Sequence, residues 1–392
     1  MDNRIEEAKK RFKEIFGDEE GVSVFSAPGR IEIGGNHTDH QHGCVLAASI
    51  DKDSIAVARP REDQVIRVFA EGFGDIMIDI GSIAPGDPEQ STRSLIAGVV
   101  CYLREHGFNV GGFDAYTTSN VLTGAGLSSS ASYETLIGTI LSGFYNDMKI
   151  SPVETAKAGK YSENVFFGKP CGLMDQMACS LGGLVYIDLK DPGDPSYRRI
   201  SCKDLPYSAV VTDTKGSHAD LTLEYASIPD EMRKVANCLG KEFLRDVNKD
   251  EIIGNMKVLR ERCGDRAVLR ALHFEDENIR AGLEAQALEK GDFRKFIELI
   301  DESGDSSFKY LQNIYAPSSP KDQAISIALK ISSDILGKDE AVRVHGGGFA
   351  GTILAFVLDG NVVRYKACME AVFGKGSCEV LRIRDEGGMR IS

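Results

Sequence analysis

The sequence predicts a mixed α+β protein with two lobes, a strand-rich N-terminal lobe and a C-terminal lobe of helices and strands. Three observations support this prediction. The chain has 392 residues, alternating strand-like segments occur towards both ends, and a charged, helix-forming stretch lies between them from about 219 to 302. We place the lobes at 1–190 and 191–392. Neither an internal repeat nor a low-complexity linker is visible, so we expect a broad interface between the lobes.

The predicted elements of the first lobe follow from residue type, apolar spacing and the positions of turn and capping residues. β-branched and aromatic residues predict strands, and apolar spacing of three and four predicts helices. Ala27-Pro28-Gly29 predicts a turn, and Ser151-Pro152-Val153-Glu154 is a capping box that predicts a helix start. The expected strands are 22–26, 44–58 (bent at 51–53), 65–70 and 113–118, and the expected helices are 1–16, 93–107, 133–145 and one from 152.

The second lobe begins with strands and continues as a run of helices. We expect strands at 184–189 and 208–213 separated by a loop, then helices to about 302 and another helix after Ser319-Pro320. Alternation returns at the end of the chain. It predicts strands at 341–345, 352–357 and 379–384, with a helix near 361–373.

Composition and charge exclude several classes of protein. The net charge of −13 gives no bulk attraction for nucleic acid or anionic membrane, so neither is expected as a partner. No segment reaches 18 consecutive apolar residues, so a membrane-spanning helix is not expected. The N-terminal segment has the pattern of an amphipathic helix rather than of a signal peptide. The nine cysteines form no C-x-x-C pair, which favours reduced thiols and a cytoplasmic location.

A Gly/Ser-rich loop before an apolar helix is the sharpest motif. Glycine amides, serine hydroxyls and the positive end of a helix together suit a phosphate group, although such a loop can also simply cap a helix. No G-K-[ST] follows, so it is not a Walker A loop. The candidate nucleotide-binding residues are Gly124, Ala125, Gly126, Leu127, Ser128, Ser129, Ser130, Ala131 and Ser132.

A second glycine cluster at 346–351 matches G-x-G-x-x-G. A dinucleotide-binding fold would require a helix after it, whereas the residues that follow read as a strand. The cluster therefore predicts a tight connection between strands that lets the backbone approach a ligand or the other lobe closely.

Polar side chains crowd the segment 36–42 between two predicted strands. A metal site from His37, Asp39, His40 and His42 is one interpretation, but in an extended chain these side chains point in different directions. Hydrogen bonding to a polyhydroxylated ligand suits Asn, His, Thr and Asp better. A solvated polar loop is the remaining interpretation.

Asp175 lies in a small and apolar segment, 171–179. A carboxylate in such surroundings requires a cation, a donor or water, which makes Asp175 a candidate functional group. The alternative is an aspartate that only caps a helix.

Four segments in this order resemble the galacto-homoserine-mevalonate-phosphomevalonate (GHMP) kinase superfamily, and within it the galactokinases. The segment 27–39 looks like the galactokinase signature, and 124–132 resembles the superfamily's phosphate loop. The segment 171–176 looks like the catalytic-aspartate segment, and 343–351 resembles the third glycine motif. The resemblance spans about 320 residues. It implies a two-lobed GHMP kinase fold, with an antiparallel sheet in the C-terminal lobe and the active site in the cleft between the lobes.

The resemblance also implies an activity and its residues. ATP would phosphorylate the anomeric hydroxyl of galactose or a close relative, with Mg²⁺ as cofactor. Asp175 matches the base and Arg30 its cationic partner, while Ser130 and Glu163 match the Mg²⁺ ligands. The residues that would face the sugar are Asn36, His37, Asp39, Gly183 and Tyr225.

This chain departs from the galactokinase pattern at three places. Asn36 replaces a glutamate, His40 replaces a tyrosine, and 225–233 lacks an Arg-Arg pair. A 1-kinase for galacturonate or arabinose is therefore an alternative, as is a sugar and ATP sensor without catalysis. The complete serine loop, Arg30 and Asp175 favour an enzyme. A monomer is the expected oligomeric state.

Overall fold

A computed structural model describes residues 2–122, 124, 126–202, 205–216, 221–349 and 351–392, except the side chains of residues 2 and 222. The helices in these ranges are α1 (Asp2–Phe16), α2 (Thr92–Glu105), α3 (Ser129–Tyr145), α4 (Pro152–Tyr161), α5 (Met174–Leu181), α6 (Thr222–Cys238), α7 (Lys249–Gly254), α8 (Met256–Cys263), α9 (Asp265–Glu289), α10 (Phe293–Ser306), α11 (Ala324–Ile335) and α12 (Val362–Phe373). The strands are β1 (Ser23–Gly34), β2 (Cys44–Pro60), β3 (Val65–Ala70), β4 (Gly74–Asp79), β5 (Phe113–Ser119), β6 (Leu184–Asp188), β7 (Ser196–Arg199), β8 (Tyr207–Asp213), β9 (Ala341–Val344), β10 (Thr352–Leu358), β11 (Cys378–Leu381) and β12 (Met389–Arg390).

The larger sheet has the order β12-β1-β2-β5-β3-β4, with β6 added on β2 and β7 on β6. Strands β3 and β5 run parallel, and the other pairs are antiparallel. Helices α2 and α3 cover one face, where Ile96 and Ile140 are fully buried. Helix α1 covers part of the other face through Phe12, because its apolar side chains repeat at helical spacing.

The smaller sheet is antiparallel with the order β11-β8-β10-β9. Side chains of β10 alternate between its two faces, as the period of a strand requires. Phe356 packs with Phe296 of α10 on one face, and Ile353 packs with Tyr365 of α12 on the other. Both faces are covered, so this lobe is a three-layered unit.

Strand β1 lies at the centre of the molecule and is buried along its whole length. The turn predicted at Ala27-Pro28-Gly29 was wrong, since β1 continues through it. The pairing register with β2 shifts between Pro28 and Arg30, which is a bulge rather than a reversal. A side chain at Gly29 would lie 2.8 Å from the carbonyl oxygen of Leu127. The glycine therefore lets the phosphate loop approach β1.

Two short strands from the predicted second lobe belong to the larger sheet. Strand β7 pairs with β6, and β12 pairs with β1 through Phe25 and Arg390. The segment 191–199, predicted as a loop, thus ends in a strand at Ser196–Arg199. A single boundary near residue 190 needs correction, because the chain returns to the first sheet at its end and covers an otherwise unpaired edge of β1.

Candidate active site

The phosphate loop is held between β1 and helix α3. Ser132 donates a hydrogen bond to the carbonyl oxygen of Ala27 at 2.9 Å, which ties the first turn of α3 to β1. Ser128 precedes the helix in a left-handed conformation with φ 59°. Its hydroxyl does not cap α3, because it donates to Asp175 instead. The first-turn amides of α3 therefore lack that cap and remain suited to an anion. Ala125, which the sequence also assigned to nucleotide binding, lies outside the described residues.

Arg30 and Asp175 form an ion pair beside Gly126 and Ser128 of the phosphate loop. The guanidinium Nε and Nη2 atoms lie 2.8 and 2.6 Å from Asp175 Oδ1, and Arg30 also donates to the carbonyl oxygen of Gly126. The Asp175 side chain is 30% exposed, whereas that of Arg30 is 6% exposed. Burial alone would raise the pKa of Asp175, but the charge of Arg30 and the Ser128 hydrogen bond lower it below its usual value. Asp175 is therefore a carboxylate at neutral pH.

Asp39 is a second buried carboxyl group of the site, and its pKa is shifted in the opposite direction from that of Asp175. It starts a short 3₁₀ turn, and its Oδ1 accepts the amide of His40 at 2.8 Å. Burial and then the charge of Asp175 raise the pKa of Asp39 to about 6. A Cβ on Gly172 would lie 1.7 Å from Asp39 Oδ2, so only glycine fits against this carboxylate.

Ser130 and Glu163 form a hydroxyl–carboxylate pair beside the phosphate loop. The Ser130 hydroxyl donates to Glu163 Oε1 at 2.6 Å, and Gln176 donates to Glu163 Oε2 at 3.3 Å. Glu163 is in a π-helical turn, Ser162–Phe167, that follows α4. Such turns redirect a side chain without ending the helix abruptly. Here the turn directs Glu163 towards the N-terminus of α3.

The third glycine cluster is held by side chains from three other segments. Its successive carbonyl oxygens at Gly346, Gly347 and Gly348 accept hydrogen bonds from Asn36 (2.8 Å), His37 (3.1 Å) and Tyr225 (3.0 Å). The cluster thus closes the cleft against the segment 36–40, as a tight connection between strands permits.

His37 and His40 form a pair of neutral imidazoles. His37 Nε2 faces a carbonyl oxygen and must carry the proton, so its Nδ1 accepts from His40 Nε2 at 3.2 Å. Burial lowers the pKa of His37 to about 4 and that of His40 well below its ordinary value. Within the described residues, no three His, Cys, Asp or Glu side chains converge as metal ligands.

Asn36 does not reach the cleft. It is fully buried, and its side-chain amide donates to Glu32 and to the carbonyl oxygen of Gly346, both at 2.8 Å. Its side-chain oxygen accepts from Ser307 at 3.2 Å and Asn313 at 3.0 Å. The expectation that Asn36 faces a sugar needs correction, because its hydrogen-bonding capacity is used inside the protein.

Gly183 is also distant from the other expected sugar-binding residues. It follows the C-terminal end of α5, whereas Asp175 is in the first turn of that helix. Eight helical residues separate these points by about 12 Å. The amide of Gly183 donates to Ser49 Oγ at 2.8 Å, so it serves the packing of β2. Gly172, at the other end, is the glycine that lies beside Asp39.

Sequence reasoning missed three contributors to the cleft. Ser128 was assigned to phosphate but also holds Asp175, Gly172 was not selected, and Lys169 was not singled out. Lys169 Nζ lies 3.3 Å from Glu163 Oε1. Its position six residues after Glu163 was the available signal, but only the turn at 162–167 shows that the two side chains meet.

Comparisons with known proteins indicate the family of this chain. Residues 10–60 match the model described as the galactokinase galactose-binding signature, and residues 94–183 match the GHMP kinases N terminal domain. The galactokinase of Enterococcus faecalis is 32% identical over 92% of this chain and 91% of its own length. The galactokinase of Lactococcus lactis strain IL1403 is 28% identical over 93% of this chain and 90% of its own.

Solved structures show the same fold. The crystal structure of Lactococcus lactis galactokinase complexed with galactose matches with a TM-score of 0.85 at 25% identity, over 97% of this chain and 98% of the other. Methanococcus jannaschii mevalonate kinase matches with a TM-score of 0.63 at 16% identity, over 93% and 99% of the two chains. The second likeness concerns the fold alone.

The fold and the composition of the cleft define an ATP-dependent sugar kinase of the GHMP superfamily. Within it, the chain belongs to the galactokinase family. The part of the chain that the structure describes contains no helix long and apolar enough to cross a membrane.

Proposed function

We propose that this protein transfers the γ-phosphate of ATP to the anomeric hydroxyl of galactose. The observation that carries the proposal is the Asp175 carboxylate, held by Arg30 and Ser128 at the entrance of an uncapped helix N-terminus. This arrangement combines a proton acceptor with a phosphate-binding site. Phosphoryl transfer requires chiefly such positioning and charge stabilisation.

Asp175 receives or orients the proton of the attacking hydroxyl. Its pKa is lowered, so it is ionised at neutral pH and available as an acceptor. Arg30 keeps the carboxylate in place and supplies positive charge as negative charge develops on the transferred group.

The residues beside the phosphate loop fit a magnesium ion. Mg²⁺ binds few protein ligands, prefers oxygen donors, and takes its remaining ligands from phosphates and water. Glu163 and Ser130 supply a buried carboxylate and a hydroxyl that already share a hydrogen bond. When bound, the ion would neutralise charge on the phosphates. The loop residues Gly124, Gly126 and Ser128–Ala131 would hold the phosphates through their amides.

Asp39, His37 and Tyr225 are the proposed sugar-binding side chains. Asp39 can accept hydrogen bonds from neighbouring ring hydroxyls when ionised. His37 and Tyr225 lie at the glycine cluster that closes the cleft. Asn36 and Gly183 are omitted because of their positions.

A panel of sugars tests the proposal. ADP release with Mg²⁺ and ATP is measured for galactose, glucose, arabinose and galacturonate, with the Asp175→Asn variant as a control. We expect the highest kcat/KM for galactose, and loss of turnover in the variant with nucleotide binding retained. A higher kcat/KM for arabinose or galacturonate would identify that sugar, rather than galactose, as the acceptor. Absence of turnover with every sugar, together with thermal stabilisation by one of them, would identify a sensor instead.

We further propose a cytoplasmic monomer. The nine cysteines are free thiols, as expected in a reducing compartment. Light scattering in solution measures the oligomeric state, and a mass near 42.6 kDa is the expected result.

A further inference from the structure

Lys169 is brought over Glu163 by the turn that follows α4. Gly168 ends this turn with φ 79°, and the amide of Lys169 donates to the carbonyl oxygen of Glu163 at 2.9 Å. The chain therefore folds back on itself, and both side chains point to the same place. A conformation with positive φ favours glycine at 168.

The Lys169 ammonium shares one oxygen atom with the phosphate-loop serine. Glu163 Oε1 accepts from Ser130 at 2.6 Å and lies 3.3 Å from Lys169 Nζ. Ser130 is in the first turn of α3, whose amides face the expected position of the phosphates. Lys169 thus lies beside this helix N-terminus, on the open side of Glu163.

The ion pair is buried at its carboxylate and open to solvent at its ammonium. The Glu163 side chain is 2% exposed, whereas that of Lys169 is 56% exposed. Glu163 has further hydrogen bonds from Ser130 and Gln176. The ammonium can leave while Ser130 and Gln176 still donate to the Glu163 carboxylate, whose charge a bound metal ion would then balance.

The charge of Lys169 reaches both halves of the cleft. Partial desolvation alone would lower the pKa of Lys169, but Glu163 and then Asp175 raise it, so the ammonium persists at neutral pH. The same charge lowers the pKa of Asp175 and acts on Tyr225. The charge of the ammonium therefore acts on Asp175 and Tyr225 as well as on Glu163, with which it pairs.

We propose that Lys169 is a further catalytic residue, whose ammonium leaves Glu163 and binds an oxygen of the terminal phosphate when ATP enters. The inference rests on the proposed function. The whole chain carries a net charge of −13, and a nucleotide triphosphate adds about four more negative charges, so a displaceable cation at the phosphates lowers the free energy of binding and transfer. The same exchange would leave Glu163 free to hold a metal ion together with Ser130.

Nucleotide binding without metal tests this role independently of turnover. Dissociation constants of ATP and ADP are measured calorimetrically in EDTA for the wild type, Lys169→Met and Lys169→Arg. The matched control is Lys249→Met, because Lys249 of α7 is 49% exposed and pairs with Asp276 of α9 at 2.6 Å. We expect Lys169→Met to weaken ATP binding about tenfold and ADP binding much less. Lys169→Arg and Lys249→Met should stay near the wild type.

Steady-state kinetics provide the second measurement. With Mg²⁺, Lys169→Met should lower kcat by about tenfold to a hundredfold, with partial rescue by arginine. Equal effects on ATP and ADP, or no effect beyond that of Lys249→Met, would overturn the inference. So would unchanged ATP binding in EDTA with tighter Mg²⁺ activation, since Lys169 would then only compete with the metal for Glu163.

The experiments can refute the role of Lys169 and the proposed acceptor independently of each other. If no sugar is phosphorylated but Lys169→Met still weakens ATP selectively, the acceptor is wrong and the role of Lys169 stands. If galactose is phosphorylated and Lys169→Met binds ATP normally, the role of Lys169 is wrong and the sugar kinase stands.

Discussion

Asp39 and Asp175 show how one type of side chain acquires two electrostatic characters in the same cleft. Arg30 and Ser128 stabilise the charge of Asp175, so its pKa is lowered despite burial. Among the residues that the structure describes, no cation forms an ion pair with Asp39, and burial together with the charge of Asp175 raises its pKa to about 6. Separation of the two pKa values suits different tasks, one carboxylate as proton acceptor and the other as a binding group.

The raised pKa of Asp39 predicts a pH dependence of sugar binding. Asp39 accepts hydrogen bonds best when ionised, so the affinity for galactose should rise as the pH increases through about 6 and level off above it. The dissociation constant of galactose is measured by calorimetry from pH 5 to 8. The Asp39→Asn variant should bind weakly and without this pH dependence. A constant affinity in the wild type, or the same slope in the variant, would contradict the assignment.

Residue type marked Asp175 as a candidate functional group, because a carboxylate in an apolar segment needs a partner. Its pairing with Arg30 was implied by the resemblance to galactokinases, and the structure brings the two side chains to 2.6 Å. Asn36 was misplaced because its neighbour Glu32 is buried and takes one of its two amide protons. The sequence does not show that Glu32 is buried and accepts this hydrogen bond. The direction of the Asn36 side chain therefore could not be predicted from the motif.

At the scale of elements, the loops and turns decide where the functional side chains point. The strand β1 passes through Pro28 and Gly29, although these residues usually mark a turn. The bulge at this point satisfies their backbone preferences without a reversal. The periodic elements, such as β3 at 65–70, agreed with prediction because apolar alternation depends on the local sequence only.

The third glycine cluster offers a matched pair of substitutions. A Cβ on Gly348 would lie 2.0 Å from the carbonyl oxygen of Asn313, and φ is +80°; on Gly346 it would meet nothing within 4 Å, and φ is +67°. Gly348→Ala combines overpacking with backbone strain and should lower the free energy of unfolding by about 2–4 kcal/mol. Gly346→Ala has only the strain, about 1–2 kcal/mol.

Urea denaturation of both glycine variants measures this difference. Equal losses of stability would show that the loop can shift away from Asn313 without cost. The sequence could not distinguish the two glycines, because the contact that separates them comes from a segment 35 residues earlier in the chain.

At the scale of the whole molecule, a buried ion pair joins the two sheets. Arg343 of β9 donates to Glu32 of β1 at 2.8 Å and to the carbonyl oxygen of Ile33 at 2.5 Å. The Arg343 and Glu32 side chains are 0% and 4% exposed. Burial, opposed by Arg343, raises the pKa of Glu32 to about 7. The contact between the two sheets therefore includes a buried ion pair, in which the carboxylate of Glu32 relies on Arg343 rather than on water.

Removal of Arg343 alone should be strongly destabilising. Arg343→Met leaves Glu32 buried without its cation, at an expected cost of about 3–5 kcal/mol in the free energy of unfolding. Adding Glu32→Gln should restore part of the loss, because the uncompensated carboxylate is gone. Urea denaturation of the wild type, both single variants and the double variant gives the interaction free energy.

The same variants have a signed pH dependence. The pKa of Glu32 is higher in the folded than in the unfolded state, so the folded protein binds more protons and is favoured at low pH. The stability of Arg343→Met should therefore fall as the pH rises from 5 to 8, more steeply than that of the double variant. Parallel profiles would show that Glu32 is not the group responsible.

The overall charge and the local cation sites serve different purposes. A chain of net charge −13 does not attract nucleotide by its general field, so binding depends on Arg30, Lys169, a metal ion and the amides of α3. The two-lobed architecture was predictable from the pattern of elements. The pairing of β12 with β1 could not be predicted from the sequence. A strand of two residues has no pattern of its own, and its pairing depends on the free edge of β1.

Phosphorus and proton NMR of the product tests the central claim most directly. Purified protein is incubated with Mg²⁺, ATP and galactose, and the position of the new phosphate is read from its coupling to the sugar protons. We expect a phosphate on the anomeric oxygen, with none formed by Asp175→Asn. A phosphate on another hydroxyl, or unchanged galactose beside intact ATP, would contradict it.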